Sequence, residues 1–253
     1  MENKQQVTVI GGGLAGCEAA WQLAQAGYAV FLYEMKPEQY TPAHHYTGLA
    51  ELVCSNSLKA DRLASAAGLL KAEMERLGSL LIPCARATAV AAGGALAVDR
   101  HRFSDLVTEH IQNHPNITII QERVTALPKR CAVIATGPLT DGALAEDLER
   151  QCGKRLSFFD AAAPIVSYES LDPEKIFFAA RYDRGDADYI NCPMDQETYT
   201  AFYQALIAAE RAPLHDCDKE FFRVYEGCMP IEVLASRGED TMRFGPLTVS
   251  YTH

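Results

Sequence analysis

At roughly 150 residues per domain, a chain of 253 residues is one large or two modest domains. Its composition, 48% hydrophobic and 22% charged, is that of an ordinary globule with enough apolar mass for a substantial core. Lys and Arg number 23 against 33 Asp and Glu, so the net charge is −10, which excludes a broad surface for polyanions or anionic membranes and confines any nucleic-acid contact to a local patch.

Eight cysteines, at 17, 54, 84, 131, 152, 192, 217 and 228, include no C-x-x-C pair. A zinc site has no support in that spacing, no metal is expected, and a disulfide framework is not needed in a chain with this apolar content. The polar Met1–Gln6 runs straight into an apolar strand, so no signal peptide fits there. The longest stretch near the middle free of charged or strongly polar residues, Ala89 to Val98, is too short and too rich in Ala and Gly to span a bilayer. These features lead us to expect a cytoplasmic, reduced, soluble protein with no membrane partner.

The first thirty-four residues carry the strongest local signal. Val7–Ile10 reads as a β-branched strand, followed at once by Gly11-Gly12-Gly13-Leu14-Ala15-Gly16. From Cys17 to Gly27 the apolar residues Ala19, Ala20, Leu23 and Ala24 recur at helical spacing, and Gly27 supplies a stop. A second strand, Ala29 to Tyr33, ends at Glu34. Strand, G-x-G-x-x-G, helix, strand and acidic residue follow in the order a dinucleotide site requires. Gly11 is expected to allow the tight turn, Gly13 to let the backbone approach a pyrophosphate, and Gly16 to let helix and strand pack closely. The helix N-terminus would face the phosphates, and Glu34 would accept hydrogen bonds from the adenosine ribose.

Met35 to Ser57 lacks periodicity and holds Pro37, Pro42, His44 and His45, so a long functional loop is expected. Helices are expected over Arg62–Leu77 and Arg100–His114, the second ended by Pro115, then short strands at Ile117–Ile120 and Arg123–Ala126. The apolar run from Cys131 ends in Ala135-Thr136-Gly137. A strand ending this way beside the first βαβ unit is a feature of two-dinucleotide flavoproteins, which favours FAD over NAD; an ordinary buried strand closed by a Gly-Pro turn is the alternative. Thr140–Cys152 and Gln196–Arg211 read as helices. Between them, runs such as Pro164–Val166 and Lys175–Ala180 alternate with turn residues and suggest sheet. Taken together, the fold class is α/β: a Rossmann-type FAD-binding domain over 1–157 with an inserted α+β substrate domain over 158–246 and a tail at 247–253. Lys129-Arg130, Lys154-Arg155 and Arg100-His101-Arg102 could touch phosphates or simply form solvated faces.

Several motifs resemble those of one family: Thr41-Pro-Ala-His-His45, Ala50-Glu-Leu-Val-Cys54-Ser-Asn-Ser57, Ala92-Gly-Gly-Ala-Leu-Ala-Val-Asp-Arg100, Asp186-Ala-Asp-Tyr-Ile-Asn-Cys-Pro-Met194, Ala208-Ala-Glu-Arg-Ala-Pro-Leu214 and Tyr225-Glu-Gly-Cys228-Met-Pro-Ile-Glu232. With the glycine-rich start, they are similar to those of the folate- and FAD-dependent tRNA (uracil-5-)-methyltransferases from residue 7 to about Pro246. The resemblance implies reductive methylation of the T-loop uridine of tRNA, the one-carbon unit coming from 5,10-methylenetetrahydrofolate and a hydride from FAD reduced by NADPH or NADH. It also implies Cys228 as the thiolate that attacks carbon 6 of uracil and Cys54 as the base beside the flavin. The family pattern continues beyond Arg243-Phe-Gly-Pro246, so the resemblance implies a C-terminally truncated member with an incomplete flavin site. Two other readings are a non-catalytic FAD- or nucleotide-binding remnant and a relative of the larger flavoproteins that modify the tRNA wobble uridine.

Overall fold

A computed structural model describes residues 5–53, 55–153, 166–180, 186–210 and 231–243. The chain divides into two compact units, 1–156 with 180–189 and 157–179 with 190–253.

The first unit is built on a parallel sheet of β1 (Gln6–Ile10), β2 (Ala29–Glu34), β6 (Ile117–Gln121) and β7 (Ala132–Ile134), in the order β6-β2-β1-β7. The register pairs Val9 with Leu32 and with Val133, and Leu32 with Ile119. The connection β1–α1–β2 gives the βαβ unit, with α1 at Leu14–Gln25. Because β2 and β7 flank β1 on opposite sides, the strand order reverses at β1, and a crevice lies beyond the carboxyl ends of β1 and β7.

Between β2 and β6 come β3 (Ser57–Ala60), α2 (Ala66–Arg76), α3 (Leu81–Ala87), β4 (Ala89–Val90), β5 (Ala95–Val98) and α4 (Arg100–Gln112). The three short strands form an antiparallel sheet in the order β3-β5-β4. Ser65 caps α2 by accepting the Gly68 N–H, so that helix starts four residues later than its apolar pattern suggests. Asp99 caps α4 by accepting from the His101 and Arg102 amides. A single cluster joins Val9, Val30 and Leu32 of the sheet to Cys17, Ala20 and Ala24 of α1 and to Phe103, Val107 and Ile111 of α4. Small residues on α1 let it lie close to the sheet, while the larger apolar side chains come from α4.

Three local expectations are corrected. The first helix begins at Leu14 rather than Cys17, because the last residues of the glycine-rich turn are already helical. Arg123–Ala126 is not a strand: Arg123 reaches sideways to Gln39 and Asp141, and the Leu127 amide is taken by the Asp147 carboxylate, which leaves the segment as a connection. The stretch at 89–98, read only as a short apolar run, supplies two strands of the antiparallel sheet.

After β7 comes α5 (Gly142–Cys152). The described part of the second unit begins with single 3₁₀ turns at Tyr168–Ser170 and Pro173–Lys175, followed by β8 (Phe177–Ala179), which pairs with β9 (Tyr189–Asn191). It then has α6 (Gln196–Ala208), α7 (Ile231–Ala235) and α8 (Glu239–Arg243). Leu234, Ala235 and Met242 are buried against Tyr199, Tyr203, Leu206 and Ile207 of α6. The Tyr203 hydroxyl donates to the Ala235 carbonyl at 3.2 Å, and the Tyr199 hydroxyl to that of Glu239 at 2.5 Å. Of the expected sheet segments, Lys175–Ala180 contracts to Phe177–Ala179, and most of 164–166 lies outside the described residues. No helix among the described residues is long and apolar enough to cross a membrane.

Candidate functional site

The turn between β1 and α1 is held by contacts only glycine permits. Gly11 sits at φ +101°, and a Cβ there would run into the Ala135 carbonyl; Thr136 Cα would lie 2.9 Å away. A Cβ on Gly16 would collide with the Gly11 carbonyl. The turn and the Ala135-Thr136-Gly137 segment are therefore in backbone contact at the crevice, and the Ala135 amide donates to the Ile10 carbonyl at 2.7 Å. A side chain at Gly13 would meet nothing within 4 Å, so this residue faces open space. No side chain caps α1, which leaves the amides of its first turn, at Leu14, Ala15 and Gly16, for an incoming acceptor. Free amides, the positive end of a twelve-residue helix and an absent side chain form a cradle for an anion.

Glu34, at the end of β2, is 8% exposed. Its two carboxylate oxygens divide their work: Oε2 accepts the Gly12 N–H at 2.7 Å, and Oε1 accepts the Lys36 N–H at 2.9 Å. A Cβ on Gly12 would lie 2.7 Å from Glu34 Oε2 and 2.6 Å from Leu49. The carboxylate is thus fixed beside the turn. The Gly12 carbonyl is used as well, accepting from the Ala50 amide at 2.8 Å and from the Cys17 thiol at 3.2 Å. Burial pushes the Cys17 thiol up to about 12, so it is a neutral donor and a packing group.

The long loop after β2 is organised by a buried ion pair. Lys36 Nζ donates to the Gly48 carbonyl at 2.6 Å, the Tyr46 carbonyl at 3.0 Å and Glu51 Oε2 at 3.1 Å. Glu51 Oε1 accepts the His45 and Tyr46 amides at 2.8 and 3.0 Å. Burial alone would raise the Glu51 carboxyl; the His45 amide, the Lys36 ammonium and the Tyr46 amide outweigh it and hold the group below the usual carboxylate range. The loop is also tied to α4: Ser104 Oγ donates to the Leu49 carbonyl at 2.5 Å, and the Leu49 amide donates to Thr108 Oγ1 at 2.8 Å. Ala50 is buried with φ +50°, a left-handed conformation that is unusual without a glycine. His44 is within 2.5 Å of Thr41 Oγ1, and burial lowers its pKa, which favours the neutral ring.

Gly11, Gly12, Gly13, Leu14, Ala15, Gly16, Glu34, Ala135, Thr136 and Gly137 come together around this crevice. Cys54 and Cys228 lie outside the described residues. Sequence reasoning did not single out Lys36, Glu51 or Ser104. Their signal is a charge or hydroxyl that becomes buried only once the loop folds back; periodicity does not carry it, and the motif Ala50–Ser57 contains Glu51 without pointing to its pairing with Lys36. Among the described residues, no group of three or more His, Cys, Asp or Glu side chains is placed to hold a metal.

Residues 6–252 match the profile of the glucose inhibited division protein A family. Among curated relatives, the methylenetetrahydrofolate–tRNA-(uracil-5-)-methyltransferase TrmFO of Shouchella clausii is 56% identical over 248 residues, 98% of this chain and 56% of that protein. The proteins of the same name from Geobacter sulfurreducens and Bacillus subtilis are 57% and 54% identical over 95% and 97% of the chain. The chain spans about 56% of the length of each of these relatives.

Proposed function

The chain belongs to the glucose inhibited division protein A family, and from that premise we propose that it carries the dinucleotide and uridine chemistry of a flavin-dependent tRNA methyltransferase acting on carbon 5 of the T-loop uridine in the cytoplasm. The observation that carries the reading is its 56% identity, across 98% of its length, to a relative named for methylenetetrahydrofolate and tRNA uracil-5 methylation. In this reading residues 1–157 hold FAD and 158–246 contribute substrate surface.

The crevice fits the ADP end of FAD. The uncapped α1 amides and the open face of Gly13 would receive the pyrophosphate, and Glu34 has a fixed carboxylate at the end of β2 for the ribose hydroxyls. Ala135-Thr136-Gly137 would border the cofactor where its backbone meets Gly11. Reduced FAD, regenerated by NADPH or NADH, would supply the hydride that converts an exocyclic methylene to methyl.

The remaining steps fall to side chains. Carbon 5 of uracil is a poor nucleophile until a thiolate adds to carbon 6, and Cys228 is assigned that addition. The carbon-5 carbanion attacks the methylene carried by 5,10-methylenetetrahydrofolate. Cys54, as base, then takes the carbon-5 proton and tetrahydrofolate departs to leave the exocyclic methylene; once that methylene is reduced to methyl, the resulting enolate expels the carbon-6 thiolate and restores the ring. The uridine must leave its stacked loop to be reached, at a cost of a few kcal/mol.

The test is a T-loop RNA carrying 5-fluorouridine, incubated with the protein, FAD and methylenetetrahydrofolate and run on a denaturing gel. Fluorine at carbon 5 cannot leave as a proton, so an attacking thiolate is trapped on the base. A covalent band that disappears in Cys228→Ala is the expected result. No band, or one that survives the substitution, overturns the proposal.

A further inference from the structure

A cavity of about 180 Å³ opens between the loop after β2 and the start of α4, lined by His45, Tyr46, Glu51, Val53, Arg100 and His101. Its charges are unevenly engaged. Every acid around it already accepts hydrogen bonds: Glu51 from Lys36 and two amides, Asp105 from the Tyr46 hydroxyl at 2.5 Å, and Asp99 from the His101 and Arg102 amides at 3.1 Å. The cation is not engaged. Arg100 is half-buried, lines the cavity, and its guanidinium has no hydrogen-bond or ion-pair partner among the described residues. One wall is a stacked pair, the Tyr46 and His101 rings 4.5 Å apart and 14° from parallel.

We propose that this cavity receives one backbone phosphodiester of the RNA substrate, with Arg100 as its cation and the Tyr46–His101 stack as the wall against the adjoining nucleoside. The inference rests on the tRNA reading above and adds a contact point to it. A guanidinium presents paired N–H donors that match phosphate oxygens, and removing one from water without a partner is costly. In a chain of net charge −10 a polyanion needs a local cation, and Arg100 is left to serve as one because Glu51 is paired with Lys36 while Asp99 and Asp105 accept from backbone amides and the Tyr46 hydroxyl. Aromatic rings interleaved with basic groups suit single-stranded loop RNA.

The proposal is tested by fluorescence anisotropy of a labelled T-loop stem-loop RNA across a series of salt concentrations, with wild type, Arg100→Gln and Arg100→Lys. Arg100→Gln is expected to weaken binding about three- to tenfold and to flatten the log–log salt dependence by about 0.7–0.9, one phosphate contact's worth. Arg100→Lys, which keeps the charge and loses the fork, should retain the wild-type salt slope with intermediate affinity. Unchanged affinity and slope in Arg100→Gln overturn the inference. So does loss of FAD retention, read by flavin fluorescence, with RNA binding intact, since the cavity would then be a cofactor subsite. Wild type that binds no T-loop RNA also overturns it. The methyltransferase reading is judged separately by the 5-fluorouridine adduct: an adduct with RNA affinity indifferent to Arg100 sinks this inference alone.

Discussion

Replacing Lys36 by Met should unfasten the loop after β2. The Lys36 and Glu51 side chains are 4% and 11% exposed, so the substitution strands a carboxylate with little access to water. Breaking a buried pair from one side costs about 3–5 kcal/mol. Glu51 keeps two amide donors, which lowers that figure, while the Tyr46 and Gly48 carbonyls each lose a donor worth about 1 kcal/mol. The expected loss is about 3 kcal/mol, or about 6–12 °C in Tm. Trp21, the single tryptophan, reports on this unit: its ring meets His114 edge-on at 5.2 Å, and its Nε1 donates to the Gly78 carbonyl at 3.2 Å. Urea titration followed by Trp21 fluorescence measures the change. Because the folded Glu51 carboxyl lies below its unfolded value, its contribution is present above the unfolded pKa of about 4.3 and is lost as pH falls through the folded pKa. The gap between wild type and Lys36→Met should therefore be full at pH 7 and shrink in acid. A loss below about 1 kcal/mol at pH 7, or one that grows in acid, would refute the assignment of this pair as the loop's fastener.

The other predictions concern the turn, the thiols and a cap. Gly16→Val should abolish retention of the dinucleotide and lower Tm, because any Cβ there meets the Gly11 carbonyl; flavin absorbance after gel filtration is the readout. Cys17, with its thiol pushed up to about 12 by burial, and Cys84, pushed up to about 11 by burial, should resist iodoacetamide in the native protein at pH 8, whereas the exposed Cys131, Cys152 and Cys192 should react. Mass mapping of the alkylated peptides decides this. Asp99→Ala removes the acceptor of two α4 amides and should cost about 1 kcal/mol in urea unfolding, whereas Asp99→Asn should recover most of it.

The βαβ start was legible because each of its parts has a local signature: β-branched residues for β1, small residues at helical spacing for α1, and glycines at the turn. The acidic end of β2 belonged to the same pattern. The alignment of Ala135-Thr136-Gly137 with the turn was legible only by analogy, since parallel pairing of β7 with β1 joins segments more than a hundred residues apart. What stayed hidden depends on long-range closure. The helix α3 has seven residues with Pro83 in its first turn and no apolar period to read. Its neighbours β4 and β5 draw on an Ala- and Gly-rich stretch of weak strand propensity, and they exist because β5 pairs with β3 on one side and with β4 on the other. Lys36 and Glu51 look like ordinary loop charges until Gly48 and Tyr46 turn their carbonyls inward. His45 and Arg100 share one cavity only because α4 packs beside that loop.

The Gly12 peptide is committed on both sides, its N–H to Glu34 and the carbonyl of the same residue to Ala50 and Cys17. A turn tethered at three points has little conformational freedom left to surrender when a phosphate arrives. Glycine-rich loops are commonly mobile before binding, and ordering them subtracts from affinity. Here that entropy is lost during folding, so ligand association should proceed with the backbone of the turn almost unmoved. Its calorimetric signature would be a small entropic penalty rather than the large one of a loop that closes around its ligand.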